Sequence, residues 1–234
     1  MFKKAFLSLT FAFLILFYAE AKAELHETES YDQIVSLGYS CQVAFQLEHN
    51  GVRTLAHPFD WFHTPIESLL KFIANEGKNF FDLDKIYVMG AYPGDPARLQ
   101  VYDTVYGIIS YHDFLSFPHL SNYAEIKAKY DKRTKRFFNL LQSNQRVLFV
   151  RQDVSKEQAE YLDEVLHSTY PNLSYTLIAI NNTEEYKTPW NSPRIENFYM
   201  ESIGDWRGNF LRWQDILSQF KINRPSARPT EEIW

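Results

Sequence analysis

The 234-residue chain holds a single cysteine, Cys41. No intramolecular disulfide can form, and zinc sites built on cysteine pairs are excluded. His-Glu-x-x-His is missing too, and Cys41 and His49 have the wrong spacing for a compact metal site on one helix. There is no glycine-rich phosphate loop: Gly90 to Pro96 carries two glycines, but no helix signature follows. No motif therefore calls for a metal or an organic cofactor. Excess positive charge is lacking, and the formal net charge of −5 argues against nucleic acid as the main partner. Nor is any apolar run long enough to span a bilayer, which takes roughly 20 residues. The one long run, Ala5 to Ala19, is short and broken by Ser8 and Thr10.

That run sits between Lys3-Lys4 and the small-x-small segment Ala21-Lys22-Ala23. The order is that of a cleavable signal peptide over residues 1–23. The expected mature chain, residues 24–234, is secreted or periplasmic and holds no membrane contact after cleavage. Losing Lys3, Lys4, Lys22 and Glu20 takes its formal charge to −7. Its length suits one sizeable core, hence one domain, with an irregular tail over 222–234. Aromatic residues are plentiful, with 19 Phe and 15 Tyr. Many such rings belong in a core, and Tyr and Trp also suit a cleft wall.

Along the chain, Asp32 to Leu37 reads as a strand stopped by Gly38, and Cys41 to Glu48 as a helix with Val43, Ala44 and Leu47 on one face. Thr64-Pro-Ile-Glu67 opens a second helix with the pattern of a capping box, and Asn122 with Glu125 opens a long one reaching about Gln142. The basic residues Lys127 to Arg136 read as that helix's solvated face. Residues 86–110 read as a hairpin ending in the strand Val105 to Ser110. Val147 to Val150, a helix capped by Ser155 and Gln158, and Tyr175 to Ile180 form a strand–helix–strand unit, which implies a parallel pair. A strand near Ile195 to Met200 and a helix near Gly208 to Phe220 follow. The expected fold is α/β, three-layered, with a mostly parallel sheet and helices on both faces.

Gly38-Tyr39-Ser40-Cys41 places a thiol at a helix start after a tight turn. Backbone N–H groups and the helix dipole there favour a thiolate and can bind an oxyanion. The plainer reading is a small inward-facing residue on an ordinary helix. A nucleophilic cysteine needs a base, and His112 stands out because it follows an apolar strand. A hydrogen-bonded structural histidine is the competing reading. Arg151, past another apolar strand, can hold a substrate anion or pair with Asp153. Asp60, Asp113 and Asp153 compete to orient the base. Strand alternation points Asp113 away from the face His112 uses.

Ser36-Leu-Gly-Tyr-Ser-Cys41, Ala44-Phe-Gln-Leu47 and Pro58-Phe-Asp-Trp61 resemble a bacterial family of unknown function catalogued as papain-like cysteine peptidases. His112-Asp-Phe114, Leu148-Phe-Val-Arg151 and Trp206 to Gly208 resemble its pattern as well, so the likeness covers most of the mature chain. It implies Cys41 as nucleophile, His112 as base and an aspartate as third member. Asp60 is preferred there because it belongs to the Pro-Phe-Asp-Trp block. Ser40, Trp61 and Arg151 stand beside these as substrate-binding or oxyanion residues. The likeness also implies an alternative fold, papain-like α+β with a mostly antiparallel sheet.

Three functions compete. The first is a secreted cysteine hydrolase taking a peptide or other acyl substrate. The second is an α/β-type esterase or acyltransferase acting on extracellular glycan, in which Ser40 shares or replaces the role of Cys41. The third is a non-catalytic secreted binding domain with an aromatic recognition face.

Overall fold

A computed structural model describes residues 30–223. The signal-peptide reading and all but the first two residues of the tail lie outside the described residues. Four strands form a wholly parallel sheet in the order β1-β6-β7-β8: β1 (Gln33–Ser36), β6 (Arg146–Gln152), β7 (Ser174–Asn181) and β8 (Ile195–Tyr199). The run Val147 to Val150 is apolar throughout because β6 is covered on both faces, and all four residues are fully buried. Val147 and Phe149 join one core, whereas Leu148 and Val150 join the other. The second core holds α1 (Cys41–His49) and α5 (Phe210–Ser218), through Val43, Leu47, Trp213 and Ile216. The first holds α2 (Ile66–Ala74), α3 (Tyr123–Leu141) and α4 (Lys156–Thr169). Helices therefore flank the parallel sheet on both faces, as the apolar patterning requires.

A second sheet accompanies it. The hairpin read over 86–110 is β3 (Ile86–Tyr92) with β4 (Asp95–Asp103), and it continues into β5 (Ile108–Leu115) and the two-residue β2 (Phe62–His63). Their order is β2-β5-β4-β3, all antiparallel. The fold is α/β, with the strands divided between one parallel and one antiparallel sheet instead of lying in a single mostly parallel one. The antiparallel strands escaped a parallel assignment because β3 alternates between half-buried and exposed positions, as a sheet with one wet face does.

Of the three capping boxes expected, only Ser155 with Gln158 forms. Thr64 lies outside α2, which begins after Pro65, and its N–H donates to the Tyr39 carbonyl at 2.9 Å. Asn122 spends its side chain on β5 instead, accepting from Leu115 N at 2.9 Å and donating to Asp113 O at 2.8 Å. The Thr64 hydroxyl has no hydrogen-bond partner among the described residues, and only at Asn122 does a tertiary partner outcompete the local cap. The Asn122 contacts tie the start of α3 to the end of β5, beside the candidate site.

Candidate active site

Between β1 and α1 the chain must reverse within four residues. Gly38 (φ +78) and Tyr39 (φ 72) both take the left-handed conformation. At Gly38 a Cβ would stand 3.3 Å from the Phe59 carbonyl oxygen and from Thr64 Cβ, so the position has neither the conformation nor the room for another residue. Tyr39 holds a strained geometry costing about 1–2 kcal/mol, and neighbours brace it. Arg151 Nη1 donates to Leu37 O at 2.9 Å, and Gly38 N donates to Ser36 Oγ at 3.1 Å. Ser40 then caps α1, its hydroxyl accepting from Gln42 N, and Cys41 is the first helical residue. From the other side, Gln42 and Gln46 donate to the carbonyls of Trp206 and Arg207 at 2.6 and 2.5 Å. Gly208 (φ +76) is required there because a Cβ would come within 2.8 Å of Gln42 Cδ. The Trp-Arg-Gly stretch is thus the strap that seats α1.

Cys41 opens into a cleft of about 850 Å³ between the start of α1, β5 and α3. Ser40, Trp61 and His112 line it, as do Asp113, Lys129 and Arg133. The thiol donates to Trp61 O at 3.5 Å, not to His112. Burial pushes its pKa up to about 11, opposed by its own backbone N–H and reinforced by the negative charge of Asp113. The helix N-terminus acts in the expected direction, but desolvation outweighs it. Burial also pulls His112 below the ordinary histidine value, against the pull of Asp113, with Arg98 adding to the decrease. The resting pair is therefore a neutral thiol and a neutral imidazole, in place of the thiolate expected near neutral pH.

His112 lies within β5, not beyond the end of a parallel strand as the sequence pattern suggested. Val101 pairs with Ser110 and Leu99 with Phe114, so residues 111–113 stand opposite Gln100 alone. This bulge breaks the alternation that would have turned Asp113 away, and both residues line the cleft. Asp113 accepts from Ser110 Oγ at 2.8 Å, Tyr130 Oη at 3.0 Å and Lys129 Nζ at 2.5 Å. The His112 ring packs edge-on to Tyr92, with centroids 5.1 Å apart.

Asp60 does not line the cleft. It is 2% exposed, paired with Arg53 at 2.5 Å, and accepts from His57 N at 2.9 Å. Arg151 is also absent from the cleft. Fully buried, it lines a separate cavity of about 290 Å³ with Tyr39, His63 and Asp153, and burial lowers its pKa to about 10. Ser40 reaches the cleft, but its hydroxyl is engaged as the cap of α1. Lys129 and Arg133, read as part of a solvated face, point into the cleft instead. A signal for Arg133 existed: Ile126, Tyr130, Arg133 and Phe137 share one helical stripe, and all four are buried.

Over residues 32–183 the sequence matches the family described as "Putative papain-like cysteine peptidase (DUF1796)". The chain belongs to this family. The matched segment runs from β1 through β7 and contains Cys41, His112, Asp113 and Arg133, while the Trp206–Gly208 strap lies beyond it. An uncharacterized protein of Acanthamoeba polyphaga mimivirus is 25% identical over 213 residues, covering 78% of this chain and 96% of its own length. That relative is viral, so a bacterial origin does not follow for this chain. No solved structure matches.

The neutral thiol has a measurable consequence. Alkylation of Cys41 by a neutral reagent is expected to be slow at neutral pH and to climb towards a midpoint near 11. Rates measured across the pH range check this. A plateau already reached below about pH 7 would mean a stable thiolate–imidazolium pair instead.

Proposed function

We propose that the chain is a cysteine hydrolase cleaving a peptide or other acyl bond, with Cys41 as nucleophile and His112 as base. The observation that carries this reading is the shared cleft: Cys41 at the start of α1 and His112 on the β5 bulge both line it. A substrate carbonyl entering the cleft takes the place of the thiol's contact with Trp61 O. As Sγ attacks the carbonyl carbon, His112 accepts the thiol proton, so no resting thiolate is needed. The oxyanion forms beside the Cys41 N–H at the helix start. Collapse of the adduct breaks the acyl bond, and the leaving amine or alcohol takes the proton from His112. Water, deprotonated by His112, then attacks the thioester, releasing the acid and restoring the thiol. Asp113, adjacent on the same bulge, stabilises the imidazolium formed in each half-reaction. The signal-peptide pattern expected over residues 1–23 supports a secreted or periplasmic setting as part of this proposal.

A panel of peptide amides and acetyl esters, assayed before and after alkylation of Cys41, tests the proposal. Hydrolysis of at least one acyl class, lost in proportion to the alkylated fraction, is the expected result. Undiminished hydrolysis by the fully alkylated chain would exclude Cys41. A chain that turns over neither class would favour the non-catalytic binding reading.

A further inference from the structure

We infer that the cleft selects acyl substrates bearing a carboxylate, which Arg133 binds; this rests on Cys41 being the nucleophile. Arg133 is 3% exposed, and it lines the same cleft as Cys41. Its Nη1 and Nη2 are buried with no hydrogen-bond partner. The guanidinium carbon stands 5.2 Å from the Tyr130 ring centroid, a cation–π contact that supplies no hydrogen bond to these two nitrogens. The other cations of the cleft are already matched. Lys129 is paired with Asp113 at 2.5 Å, and Arg98 donates to Asp113 O and faces Asp95 at 3.9 Å.

Among the described residues, no carboxylate forms an ion pair with Arg133. Glu125 lines the same cleft, but it is eight residues away on α3, more than two helical turns, and is exposed to solvent. Asp60 is committed to Arg53 and to His57 N. The fully buried His57 brings no counter-charge: burial drives its pKa down to about 4 against the opposing pull of Asp60, and Arg136, Arg53 and Arg133 add to the fall. A positive corner therefore sits inside an acidic protein. A buried cation left unpaired is costly, and a guanidinium fork matches a carboxylate with two parallel hydrogen bonds. The fitting occupant is an acidic side chain on the acyl substrate.

Iodoacetate and iodoacetamide test this directly. Each transfers a two-carbon group to sulfur with loss of iodide, carboxymethyl from the first and carbamoylmethyl from the second, and only the first carries a carboxylate. Because both need the thiolate, any change in its population cancels in the ratio of their rates. The ratio of iodoacetate to iodoacetamide rates at Cys41 is expected to exceed that of the neutral thiol N-acetylcysteinamide by roughly tenfold. It should fall back by a similar factor in Arg133→Gln and be partly kept in Arg133→Lys. A wild-type ratio no higher than that of the small thiol, or one unmoved in Arg133→Gln, overturns the inference. Should the Gln variant fail to fold, the wild-type ratio and the Lys variant decide.

If Cys41 reacts with neither reagent even near pH 11, where the thiolate forms, the nucleophile reading falls, and the anion site is judged separately. Calorimetric titration of the Cys41→Ser chain should show binding of N-acetylglutamate and not of N-acetylglutamine, lost when Arg133→Gln is added. Equal or absent binding of the two probes overturns it.

Discussion

Replacing Cys41 by Ala is expected to lower acyl hydrolysis by at least about a thousandfold, the scale seen when a covalent nucleophile is removed. His112→Ala should cost roughly a hundred- to ten-thousandfold, because the thiol rests neutral and attack requires simultaneous proton removal. The pair acts as a unit, so the double variant should be no slower than Cys41→Ala alone. A thiolate formed independently of His112 would make the two losses multiply. Steady-state kinetics on the best acyl substrate decides, with circular dichroism confirming the fold of each variant. Retention of more than a tenth of the activity in Cys41→Ala would remove the nucleophile.

The second large effect is one of stability. Asp60 and Arg53 form a buried ion pair, with side chains 2% and 4% exposed, and Asp60 also holds the His57 N–H. Asp60→Ala removes a buried partner of the Arg53 guanidinium, which keeps its contact with Glu48 at 2.9 Å. Breaking such a pair costs about 3–5 kcal/mol, which urea denaturation reads as a fall in the midpoint. The pH midpoint of Cys41 alkylation should stay where it is, because Asp60 does not line the cleft. A stable Asp60→Ala chain with a displaced alkylation midpoint would make Asp60 the third member of the site instead.

What could be read from the residues follows the range of the forces involved. Val147 to Val150 announced a central strand because burial on both faces leaves an unbroken apolar run. Cys41 at a helix start was legible because Gly38 and Ser40 act on their immediate neighbours. Asp113 was not, since a bulge appears only when the pairing of Leu99 and Val101 across the sheet is known. Asn122 looked like a cap because local patterns cannot show a distant competitor, here the backbone of β5. Asp60 carried the right sequence block, but its pairing with Arg53 depends on the loop folding inward. The direction of the thiol pKa was missed for a related reason. A helix start is visible in a sequence, whereas the burial that overrides it is a property of the assembled cleft.

The central claim is a covalent acyl intermediate on Cys41. Intact-mass spectrometry of the chain, acid-quenched soon after mixing with p-nitrophenyl acetate, tests it most directly. The account predicts one acetyl group per chain, mapped to the peptide containing Cys41, formed before steady state, absent in Cys41→Ala and slow to appear in His112→Ala. Turnover with no adduct on Cys41, or an acetyl group on Ser40 instead, would contradict it.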